Sequence, residues 1–575
     1  MPDQLHLSTA STPEPEASGA PDREVYRRRL REALRDPAFR ATEGFPIGSD
    51  EAILALSDPP YYTACPNPFL PEILARWQEE RRRARAESAS AGADDRSASA
   101  PADPFPFHPL GEPETNDAST QVDARRASAQ AGRFPIGAEP YHREPFAADV
   151  SEGKNDPIYN AHSYHTKVPH RAIMRYILHY TDPGDIVLDG FCGTGMTGVA
   201  AQLCADKRAV ESLGYRVADD GTVLDQKGRP FSRLGARRAI LVDLCPAATF
   251  IAYNYNTPVD PDAFEREARR ILQEVEEECG WMYETWHWPP SHSHSPAADS
   301  GKGVKGRILY TVWSDVFRCP LCNAEIVFWD VAVDRASGRV REQFSCPSCN
   351  ALHTKRTLDR AWETVYDRAL RQPIRRARQV PVLICYTVGK KRYEKTPDVD
   401  DLALLAQIEE ADIPYWFPTD PLPEGEKTRD PINLGITHVH HFYTRRNLWT
   451  LAALWKRLQE APLPLRRWLL FTFEQAIPGM SRWARYVPKH YSQVNQGLSG
   501  TLYIASQVVE ASLDYVIRKK IPRLAALLRR TPLGLPTVTS TQSAHNLRGV
   551  PDDSVDYIFV DPPFGANLMY SELNF

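Results

Sequence analysis

The feature that most constrains this chain is the run Ile186-Val-Leu-Asp-Gly-Phe-Cys-Gly-Thr-Gly195. Its apolar start predicts a buried strand over Asp185–Leu188, and the small residues from Thr197 to Cys204 predict a helix directly after the glycines. Glycines let the backbone turn sharply and approach a ligand, and the N-terminus of the helix then faces that ligand. A strand, a glycine loop and a helix in this order predict an α/β fold with a parallel sheet.

A second predicted strand, Ala239–Val242, ends at Asp243. A carboxylate at this position can accept hydrogen bonds from both hydroxyls of a ribose. Asp243 lies further from the glycine loop than the roughly 20 residues usual for such a pair. The extra length, Tyr215–Arg229, carries the Asp-Gly and Lys-Gly turns of an inserted hairpin. The glycines at positions 190, 193, 195 and 198 do not have the best spacing for a dinucleotide fingerprint, although the loop alone leaves a dinucleotide site or an ordinary turn open.

Another motif, Asp561-Pro-Pro-Phe564, directly follows the strand-like run Val555–Val560. The exocyclic amino nitrogen of adenine or cytosine is a weak nucleophile because its lone pair is delocalised into the ring. Asp561 and the carbonyl of Pro562 are suited to accept its two N–H groups and localise that lone pair, while the prolines add rigidity without a competing N–H. Phe564 is suited to stack on a base taken out of the duplex. With the glycine loop, this tetrad predicts methyl transfer to a base amino group; alone, it also fits a turn that ends a strand.

A second copy of the tetrad, Asp58-Pro-Pro-Tyr61, occurs near the N-terminus. The preceding run, Glu51–Ser57, is more typical of a helix than of a strand, because it contains few β-branched residues. A functional copy here would place the catalytic tetrad before the glycine loop in the chain. The alternative is a proline-rich turn whose aromatic residues pack on the main domain.

The two motifs resemble those of the N6-adenine and N4-cytosine DNA methyltransferases, and more specifically the bacterial DNA methylases with an inserted zinc ribbon. The resemblance covers most of residues 150–575 and implies a Rossmann-like sheet, S-adenosylmethionine as the cofactor and DNA as the partner. It also implies restriction–modification or phage defence, and Asp in the first tetrad position favours adenine N6 over cytosine N4. The catalytic residues that it implies are Asp561, Pro562, Pro563 and Phe564. The cofactor-binding residues are His165, Thr166 and Lys167, from the run Tyr164–Pro169, together with Asp189, Phe191, Cys192, Gly193, Gly195 and Asp243.

Three features depart from this family pattern. Gly190 stands where the family usually has proline, and Thr541–Asn546 lacks the carboxylate expected to contact the cofactor's adenine. The sequence ends at Phe575, soon after the tetrad, where such a sheet needs further strands. We therefore expect that the natural protein is longer, that a second polypeptide completes the fold, or that this is a degraded copy.

Two Cys-x-x-Cys pairs, Cys319/Cys322 and Cys346/Cys349, flank a strand-like segment over Glu325–Val333 and the turn Arg335–Gly338. Two such knuckles can supply the four thiolates of a closed, tetrahedral zinc site. We predict a structural Zn²⁺ held by these four cysteines and give His353 no ligand role. The alternative is two reduced thiol pairs.

Composition limits the class of protein. The net charge of −5 excludes a globally basic nucleic-acid binder, so a DNA surface must be a local patch. Such patches are predicted at Arg368–Arg378, Lys390–Tyr393, Phe442–Trp449 and Arg482–Tyr486, although for each a solvated helix face with core aromatics is the alternative. Without a signal-peptide pattern or a long apolar run, the chain is expected to be soluble and cytoplasmic, with no membrane contact.

Changes in composition divide the chain into predicted segments. They are 1–22, disordered; 23–86, an N-terminal helical segment; 87–149, a low-complexity linker; 150–260, the cofactor half; 261–305, a helix and loop; 306–355, the zinc ribbon; 356–535, a mostly helical insertion that could recognise the target; and 536–575, an incomplete catalytic half. The leading hypothesis is a DNA amino-methyltransferase. The alternatives are an RNA amino-methyltransferase and a truncated, non-catalytic, zinc-containing nucleic-acid-binding protein.

Overall fold

The computed structural model describes residues 23–94, 143–288, 303–335, 339–488, 494–531, 537–563 and 568–574. Helices and sheets alternate through these ranges, and the predicted α/β class is confirmed. The N-terminal stretch 1–22, most of the predicted linker and Phe564 lie outside the described residues. None of the described helices is long and apolar enough to span a membrane.

A five-stranded parallel sheet contains both sequence motifs. Its central strands are almost completely buried, which explains their continuous apolar runs, since parallel strands are covered on both faces. The strands are, in spatial order, Tyr62–Thr63, Val538–Thr541, Arg238–Asp243, Ile186–Asp189 and Tyr557–Ile558. Helices His170–Tyr180, Met196–Leu203 and Pro246–Asn256 pack around this sheet.

The predicted insertion between the glycine loop and Asp243 is a small antiparallel sheet. It follows the short helix Lys207–Glu211. Its strands are Arg216–Val217, Thr222–Leu224 and Pro230–Arg233. Turns at Gly221 and Gly228 take up left-handed backbone conformations, with φ of 82° and 78°. The insertion therefore lengthens the chain without disturbing the parallel pairing of the two flanking strands.

A second, antiparallel sheet is built on the long strand Val304–Arg318. The expectation of a mostly helical insertion over 356–535 is wrong for its first part, where the β-branched and aromatic run Gln379–Val388 pairs with that long strand. The other strands of this sheet are Glu284–His287, Glu325–Val327, Asp359–Arg360, Lys391–Lys395, Arg485–Tyr486, Asn495–Gln496 and Gln507–Ala511. A separate hairpin is formed by Trp362–Asp367 and Gln372–Ala377.

Helices dominate the insertion only after residue 398. The amphipathic helix Pro261–Cys279 packs against three of them, because Phe264, Ile271 and Val275 recur on one buried face. The helices from here to the end of the insertion are Val399–Glu410, Arg429–Ile432, Arg445–Glu460, Leu463–Glu474, Ala476–Met480, Leu513–Ile517 and Lys520–Arg530. The 3₁₀ turns of this half are Gly280–Tyr283, Lys355–Thr357 and Val439–Phe442.

The N-terminal segment does not stand apart from the main sheet. Its strand Tyr62–Thr63 pairs in parallel with Val538–Thr541, so this segment is not purely helical as expected. From its last helix, Arg81 forms ion pairs with Asp185 and Asp556, near the start of two neighbouring strands. The helices of the segment are Arg23–Leu34, Pro37–Arg40, Asp50–Leu56 and Leu70–Asp94.

Candidate active site

The glycine loop leads from the strand Ile186–Asp189 into the helix Met196–Leu203. Gly193 and Gly195 have φ of 48° and 74°, in the left-handed region that favours glycine. A Cβ on Gly195 would lie 2.7 Å from Ala252 Cβ, so the loop also packs tightly against the next helix. The backbone thus turns sharply at the carboxyl end of the strand, where ligands of α/β sheets usually bind.

Asp189 ends this strand with a buried side chain. Its carboxylate accepts hydrogen bonds from the Thr197 hydroxyl and, over 3.1 Å, from the Phe191 N–H. Burial, with smaller contributions from the neighbouring carboxylates of Asp243 and Asp561, raises the pKa of Asp189 to about 7. Asp189 is therefore poised to lose its proton when a cation binds next to it.

Asp243 ends the adjacent strand and holds the glycine loop in place. One carboxylate oxygen accepts from the Gly193 N–H over 2.9 Å, and the other accepts from the Cys245 N–H over 2.9 Å. Burial raises the pKa of this carboxyl as well. Each oxygen keeps a second lone pair, so these bonds leave room for hydroxyl donors. The next side chain, Leu244, is 59% exposed and offers an apolar surface beside the carboxylate.

The run around His165 contacts the glycine loop and the last described residues. His165 Nε2 lies 3.0 Å from Asn574 Oδ1, and Thr166 Oγ1 lies 2.7 Å from the Tyr570 hydroxyl. Asn574 Nδ2 also donates to the Tyr164 hydroxyl and to Cys245 Sγ. The short helix Tyr570–Leu573 therefore closes one side of the candidate cofactor site.

Lys167 has a structural position. Its ammonium group donates to the carbonyls of Tyr159 and His162, and burial lowers the pKa of Lys167 to about 8. Phe191 is exposed, whereas Cys192 is buried with its backbone N–H bound to the Val242 carbonyl. Of the predicted cofactor-binding residues, Lys167 therefore differs in that its ammonium group binds carbonyls of the preceding backbone segment.

The tetrad follows the strand next to the glycine loop. Val187 pairs with Tyr557 and Leu188 with Ile558 in parallel register, and the Phe559 N–H donates to the Leu188 carbonyl over 3.0 Å. Asp561, Pro562 and Pro563 are exposed at the same end of the sheet, and Asp561 is close enough to raise the pKa of Asp189. The sequence did not predict that Tyr570 and Asn574, which follow the tetrad, lie at this site. No spacing pattern marks either residue as a partner of the run around His165.

The second tetrad copy lies at the opposite edge of the sheet. The strand Tyr62–Thr63 that follows it is separated from the glycine-loop strand by two others. Asp58 is buried and accepts from the Tyr253 hydroxyl over 2.5 Å and from Arg467 Nη1 over 2.9 Å. These contacts support the structural alternative for this copy.

The four cysteines of the Cys-x-x-Cys pairs converge. All four sulfur atoms lie within 4.8 Å of one another, with Sγ–Sγ distances of 3.7 Å for Cys319–Cys349 and Cys322–Cys346. This is far from the ~2.05 Å of a disulfide and close to the ~3.8 Å that follows from Zn–S bonds of about 2.3 Å in a tetrahedron. His353 Nε2 lies 3.3 Å from Cys319 Sγ. That distance fits a hydrogen bond to the sulfur rather than a fifth ligand.

Comparison with known proteins agrees with the first motif. No curated protein and no solved structure matches the chain significantly. The model of a family described as DNA methylase matches residues 135–218, which include His165, Thr166 and the whole glycine loop. Over residues 135–218, the chain is therefore similar to the DNA methylase family.

Proposed function

We propose that this protein transfers a methyl group from S-adenosylmethionine to an exocyclic amino group of DNA, at adenine N6, in restriction–modification or phage defence. The adenine preference rests on Asp561 as the first residue of the tetrad, and the biological role rests on the family resemblance. The observation that carries the proposal is the parallel pairing of Ile186–Asp189 with Tyr557–Ile558, which brings Asp561 beside the glycine loop.

The charge of the site supports a cationic cofactor. Asp243 and Asp561 both lie close enough to Asp189 to raise its pKa, and none of the three forms an ion pair with a described side chain. Three such carboxylates repel each other unless a positive charge lies among them. S-adenosylmethionine has a sulfonium and an ammonium group, and when bound it supplies the electrophilic methyl group.

The binding roles follow from the positions of the side chains. Gly193 and Gly195 allow the backbone to approach the cofactor, and Asp243 with Leu244 offers an acceptor and an apolar surface to its nucleoside part. Asp189 and the run around His165 and Thr166 would hold the methionine part. Because Asp243 also accepts from the Gly193 N–H, its substitution should weaken both the conformation of the glycine loop and the binding of the cofactor.

The proposed reaction needs no covalent enzyme intermediate. The Asp561 carboxylate and the Pro562 carbonyl accept the two N–H groups of the target base and direct the nitrogen lone pair at the methyl group. As the nitrogen is methylated it becomes more acidic, and the Asp561 carboxylate, as one of its two proposed acceptors, takes the proton that it loses. Phe564 completes the proposed catalytic set by stacking on the base.

The cysteine cluster is proposed to bind structural zinc. Cys319, Cys322, Cys346 and Cys349 provide four thiolates and leave no open position, so the metal would fix the fold of this segment and take no part in methyl transfer. The Cys346 side chain is held next to the N–H groups of Cys349 and Ser348, which lower its pKa and would stabilise a thiolate there.

A further element is proposed to cover the exposed face of Tyr557–Ile558, supplied by this protein or by a second polypeptide. Ile558 and Val560 are 58% and 43% exposed on the same side of this edge strand, whereas parallel sheets normally have both faces covered. Light scattering before and after Ile558→Ser tests this. Self-association of the wild type that the serine variant lacks would support an uncovered face, and a monomer unaffected by the change would contradict it.

Methyl transfer tests the main proposal directly. Tritiated S-adenosylmethionine is incubated with unmethylated bacterial DNA, or with RNA of the same base composition, and the product is digested to nucleosides. With DNA as the substrate, we expect the label in N6-methyl-2′-deoxyadenosine. Label from RNA alone would overturn the DNA assignment, and cofactor binding without transfer to either would overturn catalysis by this chain.

A further inference from the structure

A cavity of about 110 Å³ lies in the insertion, away from the tetrad and the glycine loop. It is bounded by the hairpin Trp362–Asp367 and Gln372–Ala377, by the segment around His440 and by Arg482. The cationic and titratable side chains in its wall include Arg376, Arg445, Arg482, Asp367, His440 and His441.

Arg482 lacks a counter-ion. Its Nη1 donates to the neutral Gln379 Oε1 over 2.6 Å, and no described carboxylate forms an ion pair with it. Burial, together with the nearby Arg376, lowers the pKa of Arg482 to about 10. A largely buried guanidinium is costly unless an anion pairs with it. The guanidinium of Arg482 therefore lines a cavity in which no described carboxylate neutralises its charge.

Most of the acidic residues around the cavity pair with other cations, but Glu409 forms no ion pair with a described side chain. Asp315 pairs with Arg360 over 2.7 Å, and Glu363 pairs with Arg376 over 2.7 Å. Arg445 donates to the carbonyl of Ala411 and lies 3.9 Å from the carboxylate of the exposed Asp412. Glu409 is exposed where it lines the cavity.

Asp367 is surrounded by donors. One oxygen accepts from the backbone N–H groups of Ala369 and Leu370. The other lies 2.9 Å from His440 Nε2 and 2.7 Å from His441 Nε2. Burial alone would raise the pKa of Asp367, but these donors hold it well below its usual range. The Asp367 carboxylate is therefore held by these four donors and forms no ion pair with Arg482.

The same three side chains resemble a metal site, but their hydrogen bonds argue against one. The Thr437 N–H donates to His441 Nδ1 over 3.2 Å, which places the proton of the neutral ring on Nε2, facing Asp367. A metal at that point would need the lone pair of Nε2. The cluster is therefore better described as a hydrogen-bonded wall.

We propose that this cavity binds a phosphate group. A phosphate oxygen can accept from the planar guanidinium of Arg482 in a bidentate manner, and the cavity is large enough for one such group. The phosphate could belong to the DNA backbone or to a small phosphate ester. The proposal does not depend on methyl transfer, because it concerns binding at a separate site.

Isothermal titration calorimetry with inorganic phosphate, without cofactor or DNA, tests the proposal. Wild type should bind phosphate, and Arg482→Gln should weaken binding at least tenfold, as should Arg445→Gln. Arg518→Gln is the matched control, since Arg518 is exposed and does not line the cavity. Circular dichroism melting verifies that each variant is folded. If Arg482→Gln does not fold, Arg445→Gln serves as the test.

A parallel titration with a duplex oligonucleotide identifies the source of the phosphate. Tighter binding of inorganic phosphate than of DNA phosphates, lost on Arg482→Gln, indicates a small phosphate ester. If the protein binds DNA but not inorganic phosphate, and Arg482→Gln lowers the affinity for DNA, the phosphate belongs to the DNA backbone. In that case the slope of log K against log salt concentration should be smaller by about one in the variant. Equal binding of both ligands by wild type and folded variants overturns the proposal. A phosphate-binding protein without methyl transfer activity would refute only the proposed function.

Discussion

The backbone N–H of Ile186 donates to the carboxylate of Asp556 over 2.8 Å, across a sequence separation of 370 residues. The bond sets the register between the strand before the glycine loop and the strand before the tetrad. Arg81 from the N-terminal helix pairs with the same carboxylate and with Asp185. Three distant parts of the chain therefore meet at the start of the strands whose other ends form the candidate active site.

Asp561→Asn should lower the rate of methyl transfer by about 10²–10³ and should weaken cofactor binding far less. The amide loses the negative charge that is proposed to align the target amine, and loss of such an electrostatic contact typically costs about 10²–10³ in rate. Single-turnover transfer and calorimetric cofactor binding measure the two effects. Asp552→Asn, an exposed aspartate in the same segment, is the control and should retain full activity. Retention of activity by the folded Asp561→Asn variant would refute the assigned role.

Asp58→Ala should destabilise the protein without removing activity. The change strips the partly buried Arg467 of its carboxylate partner, and breaking such a pair costs up to about 3–5 kcal/mol. Urea unfolding measures the loss, and transfer assayed below the melting temperature should stay within about twofold of wild type. A folded Asp58→Ala variant that binds cofactor but transfers no methyl group would show that the N-terminal copy is the catalytic one.

Asp189→Asn should change how stability depends on pH. The folded-state pKa is raised from 3.8 to about 7, so the folded protein retains a proton that the unfolded chain has released between these values. Wild type therefore loses stability as pH rises through this window, and the loss is complete above about pH 7. The difference in melting temperature, variant minus wild type, should be more positive at pH 8 than at pH 4, measured by calorimetry without cofactor. An identical difference at both pH values would contradict the raised pKa.

Cys346→Ser should reduce bound zinc from about one ion per chain to nearly none. Metal analysis after exhaustive dialysis measures the content, and Cys204→Ala, at a buried cysteine outside the cluster, should retain the metal. Loss of zinc should raise hydrogen exchange over residues 319–357, whereas the strand Val304–Arg318 stays protected by its pairing with Gln379–Val388. Unchanged exchange in the metal-free protein would rule out a structural role.

The two motif strands were predictable because local pattern and tertiary environment agree there. Ile186–Asp189 is apolar throughout since it is buried on both faces, and Gly195 is required by its left-handed backbone. The strand Gln379–Val388 was missed for the opposite reason. Its basic flanks suggested a solvated helix face, and its β structure depends on a partner strand more than sixty residues earlier in the chain.

The sequence by itself determined the α/β class, the glycine loop, the tetrad and the cysteine pairs, because each depends on residues that are close in the chain. Only the tertiary structure separated the two tetrads in space, since strand order places Asp561 beside Asp189 and Asp58 at the far edge. It also brought Asn574 to His165 and placed Arg482 against a cavity where no described carboxylate pairs with it. These contacts join residues that are distant in the chain. They depend on tertiary packing, which no local sequence pattern encodes.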